Sequence, residues 1–435
     1  MKHVFEDCLM VLPGHSVGYG SLAVEDGKIA AIDLKPGKAP ATCARLVLPG
    51  LVNAHGHTAM TLVRGLGGGL PLQRWLEEAI FPVEAKMTPE DIRAGALWGA
   101  MEMLAGGTTA VADMYDFPGT GAEAFAEAGI RANVCRVGLN FIPGRLEDCV
   151  EFTRTFNRTI AQSVQSEQSE QSNNRTILNR TILRADLCIH SEYLTDEAFC
   201  RALAAANREL KRPVHVHVSE TRKEHEECLK RHGKTPIAYL AETGLLDSGA
   251  YAAHCVWCTD DDFRIMREKN VTLVHNPTSN MKLGSGFARI PAAIAAGVNV
   301  ALGTDGCASN DNLDMFEEMH LVSLVHKGVA RDPTALSAWD VIDMATVNGA
   351  KALGRPESGE LAVGKAADLC VVDLRRPHLT PALDIPNLIV HSMHASDVIL
   401  TMVGGEIVYE NGQWLNVNAE RAEFDFRCAV RRLGL

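Results

Sequence analysis

The sequence predicts an α/β fold: a (β/α)8 barrel of the TIM type, with a small β-sandwich domain built from both chain ends. Three observations lead there. Short apolar or β-branched runs alternate with amphipathic stretches between residues 51 and 306. Hairpin-like segments with D-G, G-G and N-G turns lie outside that region, at both ends of the chain. Histidine and aspartate recur where the apolar runs stop, and in such barrels functional side chains stand at the C-terminal ends of the strands.

The strand candidates, in order, are LVNAHGH (51–57), TTAVADM (108–114), ANVCRVGL (132–139) and DLCIHSEY (186–193), then PVHVHVSE (213–220), YAAHCVW (251–257), VTLVHNP (271–277) and VNVALGTDG (298–306). Helical patterns fill most gaps. PEDIRAGALWGAMEMLAGG and TDDDFRIMREKN both begin with acidic residues, which suits the positive end of a helix dipole. At the ends, VEDGKIAAIDL, ADLCVVDL and VILTMVGGEIVYENGQW are strand-like. Neither end alone has enough strands for a stable sheet, so the two are expected to combine. The expected division is 1–49 with 357–420 for the sandwich and 50–356 for the catalytic barrel. Residues 157–184, with NRTI three times and a polar S-E-Q repeat, read as a low-complexity surface insertion that buries too little apolar area to order itself.

The bulk properties narrow the function. The chain has 435 residues, enough for one large domain and a smaller one. Its 46% hydrophobic content and mean hydropathy of -0.01 are those of an ordinary soluble protein, expected in the cytoplasm. A formal net charge of -12 argues against nucleic-acid binding, which needs basic surface. The N-terminus lacks the apolar core of a signal peptide, and no run is long enough to span a bilayer. The twelve cysteines are scattered and are expected to be buried thiols. Cys255 and Cys258 in HCVWC have redox or zinc-knuckle spacing, but no second CxxC completes a zinc site. Barrels of this size and acidity commonly form homo-oligomers, and the sequence identifies no surface for that.

Residues i and i+2 of a strand share a face, so His55 and His57 project together from the first strand end. The fifth strand offers His215 and His217, followed by Glu220; the sixth carries His254; the eighth ends in Asp305. Any one of these is ordinarily a hydrogen-bonded core histidine or a turn aspartate. Together they are the imidazole and carboxylate donors that a borderline-soft divalent metal takes.

At this point the chain resembles the amidohydrolase superfamily, specifically the 5-methylthioadenosine/S-adenosylhomocysteine deaminase group. The motifs are PGLVNAHGHTAMTLVRG, LPLQRWLEEAIFPVEAKMT, HVHVSET, AAHCVW, HNPTSNMKLGSGFARIP and ALGTDGCASNDNLDMFEEM, with GELAVGKAADLCVVDL in the returning sandwich. Two features depart from the family pattern: the polar repeat, and GLGGGLPL, where an acidic residue usually precedes L-P-L. The resemblance implies one divalent metal held by His55, His57, His217 and Asp305, zinc foremost, with Fe2+ or Mn2+ fitting the same donors. It implies that His254 polarises the water at that metal, Asp305 takes its proton, and Glu220 donates one to a ring nitrogen. The implied reaction is hydrolytic deamination of the adenine ring of 5'-methylthioadenosine, S-adenosylhomocysteine and adenosine. Trp75 would pack on the ligand, Glu84 accept from ribose hydroxyls, His190 reach the purine edge, and Arg136 and Arg145 bind the homocysteine carboxylate. Glu220 and Asp305 would also face the substrate. The metal donors alone leave open another hydrolase of this scaffold, such as a guanine or pterin deaminase or a triazine hydrolase, because all activate the same water.

Overall fold

A computed structural model describes residues 2–40, 42–167 and 183–435. Its strands, in chain order, are β1 (Lys2–Leu12), β2 (Ser16–Glu25), β3 (Lys28–Leu34), β4 (Arg45–Pro49), β5 (Leu51–His57), β6 (Thr108–Met114), β7 (Arg131–Cys135), β8 (Leu183–Ala185) and β9 (Leu187–Cys188). They continue with β10 (Val214–Val218), β11 (Ala250–His254), β12 (Val271–His275), β13 (Val300–Leu302), β14 (Asp305–Gly306), β15 (Leu369–Asp373), β16 (Val398–Val403), β17 (Glu406–Glu410) and β18 (Gln413–Trp414).

Two parallel five-stranded sheets, ordered β14-β5-β6-β7-β8 and β13-β12-β11-β10-β9, make the barrel. Asp186 separates β8 from β9, and Gly303 and Thr304 separate β13 from β14, so each pair is one interrupted strand shared by the two sheets. The strands fall where the sequence placed them, except that the fourth covers 183–188 rather than 186–193. Barrel strands β6, β7, β10, β11 and β12 are buried along their whole length, so none shows the apolar-in, solvent-out alternation of a half-exposed strand.

The small domain expected from the chain ends is present as one eight-stranded sheet, ordered β18-β17-β16-β15-β4-β1-β2-β3. The N- and C-terminal contributions meet where β4 pairs antiparallel with β15, Leu48 opposite Cys370. Leu22, Met10, Val47, Leu369 and Met402 form its buried face.

The expected helices form, and threonines outside the acidic first turns cap them. Thr88 and Asp91 make a reciprocal capping box on Pro89–Ala105, and Thr259 with Asp262 does the same for Asp260–Glu268. A final helix, Ala419–Leu433, is an addition to the expected plan. It stacks Phe426 on Trp98 at 5.1 Å and pairs Arg432 with Asp91. The insertion also differs at its edges from the expected loop. Helix Arg145–Glu167 enters it, with Arg158, Thr159, Ala161 and Gln162 exposed, and Leu183 and Arg184 belong to β8. The rest of the insertion lies outside the described residues. All twelve cysteines are free, Cys255 and Cys258 among the buried ones. No described helix is long and apolar enough to cross a membrane.

Candidate active site

The C-terminal strand ends converge on one point. β5 delivers His55 and His57, β10 delivers His217, and β14 delivers Asp305 opposite Gly56 of β5. Gly303 permits the approach of β13–β14 to β5: a Cβ there would lie 2.8 Å from the His55 backbone nitrogen. Ser219, His254 and Asp305 hold φ values of 48°, 71° and 62°, a region costly for side-chain-bearing residues and frequent at functional sites.

One donor atom from each of His55, His57, His217 and Asp305 lies within 4.8 Å of all the others. Asp305 Oδ1 is 3.3 Å from His55 Nε2 and 3.2 Å from His57 Nε2, and His57 Nε2 is 3.2 Å from His217 Nε2. Donors about 2.0–2.1 Å from a shared tetrahedral centre stand roughly 3.3 Å apart, so these separations fit a metal cage. His55 Nε2 is fully buried with no hydrogen-bond partner, an arrangement that is costly unless a ligand satisfies it.

The opposite nitrogens are spoken for. His57 Nδ1 donates to the Met114 carbonyl at 2.5 Å, and His217 Nδ1 donates to the His190 carbonyl at 2.8 Å. His55 Nδ1 lies 2.7 Å from His215 Nε2. These bonds fix the ring orientations and leave each Nε2 lone pair facing the centre. Ser279 and Ser309 donate to Asp305 Oδ2 at 2.6 and 2.8 Å, which leaves Oδ1 for the centre. Burial drives the His217 pKa well below its ordinary value, keeping it a neutral donor. Burial opposes charge on Asp305, but the close approach of the His55 and His57 imidazoles holds it well below the usual carboxylate range.

Two further groups overlook the cluster. Glu220 Oε2 is 3.7 Å from His254 Nε2, and Ser285 Oγ reaches Glu220 Oε1 at 3.5 Å. Burial raises the Glu220 pKa above that of an ordinary glutamate, against the opposing charge of His254. Glu224 accepts from the backbone nitrogens of Ser219 and Glu220 at 2.7 and 2.8 Å, clamping the turn that aims Glu220. Asn280 Oδ1 accepts from His254 Nδ1 at 2.8 Å, so His254 turns Nε2 inward.

A cavity of about 580 Å³ opens above this floor. His57, His217, Glu220, His254 and Asp305 line it together with Trp75, Glu84 and His190, the His190 ring 4.6 Å from that of His217. Trp75 is 5% exposed, begins a π-helical turn and donates from Nε1 to the Leu66 carbonyl at 3.0 Å. Gly67, at φ +73°, lets the GLGGGLPL loop lie on it, since a Cβ would come 2.8 Å from the indole. Glu84 accepts from the Tyr115 hydroxyl at 2.6 Å, and burial raises its pKa. Burial pushes His190 down to about 3, so that ring is neutral. Arg136 and Arg145 are not among the lining residues; Asp116 is, with both arginines paired to it.

Sequence reasoning gave His215 no role in the site and missed Asn280, Ser279, Ser309, Tyr115 and Asp116. His215 carried a signal, since it shares a strand face with His217. Ser279 and Asn280 stand in HNPTSN, and Ser309 in GTDGCASN, where polar residues crowd against an apolar strand.

Residues 46–408 match the profile of the Amidohydrolase family. The chain is 42% identical over 421 residues to a 5-methylthioadenosine/S-adenosylhomocysteine deaminase of Acetivibrio thermocellus, covering 95% of this chain and 94% of that one. It is 40% identical to a 5'-deoxyadenosine deaminase of Methanothermobacter thermautotrophicus, covering 93% and 92%. The fold matches an adenosine deaminase from Xanthomonas campestris, solved with bound zinc, with a TM-score of 0.84, 31% identity and 99% coverage of both chains.

Proposed function

The chain belongs to the amidohydrolase family, and from that membership we propose how its site performs the reaction. It is a hydrolase of carbon–nitrogen bonds that deaminates the adenine ring of 5'-methylthioadenosine, S-adenosylhomocysteine and adenosine, releasing ammonia and the inosine derivative. The observation that carries this reading is the four-donor cluster at the cavity floor with a separate buried carboxyl, Glu220, beside it.

His55, His57, His217 and Asp305 would hold a divalent metal, zinc foremost with Fe2+ or Mn2+ compatible with the same donors, and such a metal would supply the Lewis acidity that makes water nucleophilic near neutral pH. His254 orients that water through Nε2, with Asn280 holding its other face. Asp305 accepts the water's proton. Glu220 delivers a proton to a ring nitrogen as the amine-bearing carbon becomes tetrahedral. Its raised pKa keeps the acid form available at higher pH than an ordinary glutamate would. The return of a proton to the amine lets ammonia leave. Trp75 packs on the bound nucleoside, Glu84 accepts from ribose hydroxyls, and neutral His190 meets the purine edge. Arg136 and Arg145 lie toward the 5' end, where a homocysteine carboxylate would come.

Ammonia release from adenosine, 5'-deoxyadenosine, 5'-methylthioadenosine, S-adenosylhomocysteine and guanine tests the reading. Turnover of the adenosines without guanine is the expected pattern. Turnover of guanine alone would transfer the chain to a different deaminase class.

A further inference from the structure

The cavity wall nearest the two arginines is formed by an acid. Asp116 follows β6 in the loop Tyr115–Phe117 and lines the cavity, with its side chain 40% exposed. Its Oδ1 accepts from Arg145 Nη1 at 2.7 Å and from Arg136 Nη1 at 3.4 Å. Arg145 is 5% exposed, and Arg136 also faces Asp148, at 3.6 Å, and stands over the Phe117 ring. The group as a whole holds two guanidiniums and two carboxylates and is formally neutral. Phe117, the next residue, and Phe141, both exposed, line the same cavity.

We propose that Asp116 sets the preference for the 5' substituent: by holding Arg136 and Arg145 behind its own carboxylate, it makes the cavity favour an uncharged, apolar tail over one that bears a carboxylate. This rests on the adenosine-deaminating reading above. A bidentate grip needs two free N–H groups of one guanidinium in a fork. Here Arg136 turns Nη1 to Asp116 and Nη2 to Asp148, while Arg145 gives Nη1 to Asp116 and is otherwise covered. A tail carboxylate approaching along the cavity meets a like charge before it meets either arginine. To reach them it must displace Asp116 and break two ion pairs. A methylthio or plain methyl tail meets Phe117 and Phe141 and asks nothing of the charged group.

Matched ligands test this on the holoenzyme without relying on a variant. Adenosine carrying a 5'-thiopropionate tail is compared with its carboxamide, which has nearly the same shape and no charge. The carboxamide is expected to show a KM about ten-fold lower in the wild-type enzyme, and the gap should close in Asp116→Asn. The ratio of kcat/KM for S-adenosylhomocysteine to that for 5'-methylthioadenosine should rise about ten-fold in Asp116→Asn, through KM rather than kcat. Dissociation constants of the same tails on the inosine products, read by calorimetry, give the comparison without turnover. Failure of the adenosine-deaminating reading would therefore appear separately, as absent ammonia release. An acid tail that binds as well as its amide in the wild type overturns the proposal. So does a ratio that stays flat or falls in Asp116→Asn; a fall would show Asp116 gripping the homocysteine ammonium instead.

Discussion

The floor of the cavity and its rim are built by opposite means. On the floor, side chains leave strand ends, and the metal donors, Glu220 and His254 are each held by a further hydrogen bond or contact from Met114, His190, His215, Ser279, Ser309, Ser285 or Asn280. On the rim, Phe81, Phe117 and Phe141 come from helices and loops and are 44%, 42% and 65% exposed. The floor places atoms to a fraction of an ångström, as bond-making requires. The rim sorts ligands by charge and shape and can change without disturbing the chemistry. Substitutions should therefore divide, with floor changes reaching metal and kcat and rim changes reaching KM.

The largest effect is expected at the metal donors. His55→Ala or His217→Ala should take bound transition metal from about one per chain to a small fraction, and kcat/KM down by at least roughly 10³-fold. Elemental analysis after gel filtration measures the first and ammonia release the second. Full metal retention in both variants would break the floor assignment. Next comes Glu220→Gln, which keeps the metal and should cost about 10²–10⁴-fold in kcat, roughly 3–5 kcal/mol of barrier. Near-normal turnover there would mean the proton comes from elsewhere.

A rim residue gives a smaller and differently shaped effect. Glu84→Gln removes the charge from the group proposed to accept from ribose hydroxyls. KM for adenosine should rise about ten-fold while kcat stays within a few-fold, the loss of one charge-assisted hydrogen bond. A fall in kcat with KM unchanged would place Glu84 with the floor, and the division between the two regions would fail.

The same division separates what was legible in the sequence from what was not. The barrel strands and the pairing of His55 with His57 were legible because strand geometry is local: two histidines two residues apart share a face whatever the tertiary context, whereas the choice of His217 and Asp305 to complete the set came from the family resemblance. The partners that complete the floor come from other strands and loops. His215 meets His55 across 160 residues of sequence, and no pattern announces a bond of that range. Arg136 and Arg145 stand out in the sequence as cations near strand three, but what they present to a ligand depends on Asp116, a loop residue with no periodicity to betray it. The final helix was missed for a similar reason. Its apolar side is completed by Trp98 on another helix, and AERAEFDFRCAVRRL alone, with seven charged residues in fifteen, follows the strand-like terminal segments without a signal that sets it apart.

The smallest effect concerns what lies beneath the floor. Glu318, on the helix Met315–Ala330, is fully buried and accepts from Asn310 Nδ2 at 2.7 Å and from the Thr278 nitrogen at 3.3 Å. Asn310 in turn donates to the Thr304 carbonyl at 2.7 Å, so this carboxyl braces the segment that carries Asp305. Burial raises the Glu318 pKa from 4.5 to about 8, ahead of the hydrogen bonds that lower it. Between those two values the folded protein binds a proton that the unfolded chain has released, so stability from this group is fully present below pH 4.5 and declines as pH rises toward 8. The amide introduced by Glu318→Gln carries no charge at any pH and can keep the Asn310 contact through its oxygen. Glu318→Gln should therefore flatten the fall in Tm between about pH 5 and pH 8, leaving the variant on the order of 2 °C above wild type at the alkaline end and close to it at the acid end. Calorimetry across that range measures it. Parallel Tm profiles for the two proteins would mean Glu318 stays ionised throughout, with the floor braced by a charge and not by a neutral hydrogen-bonded acid.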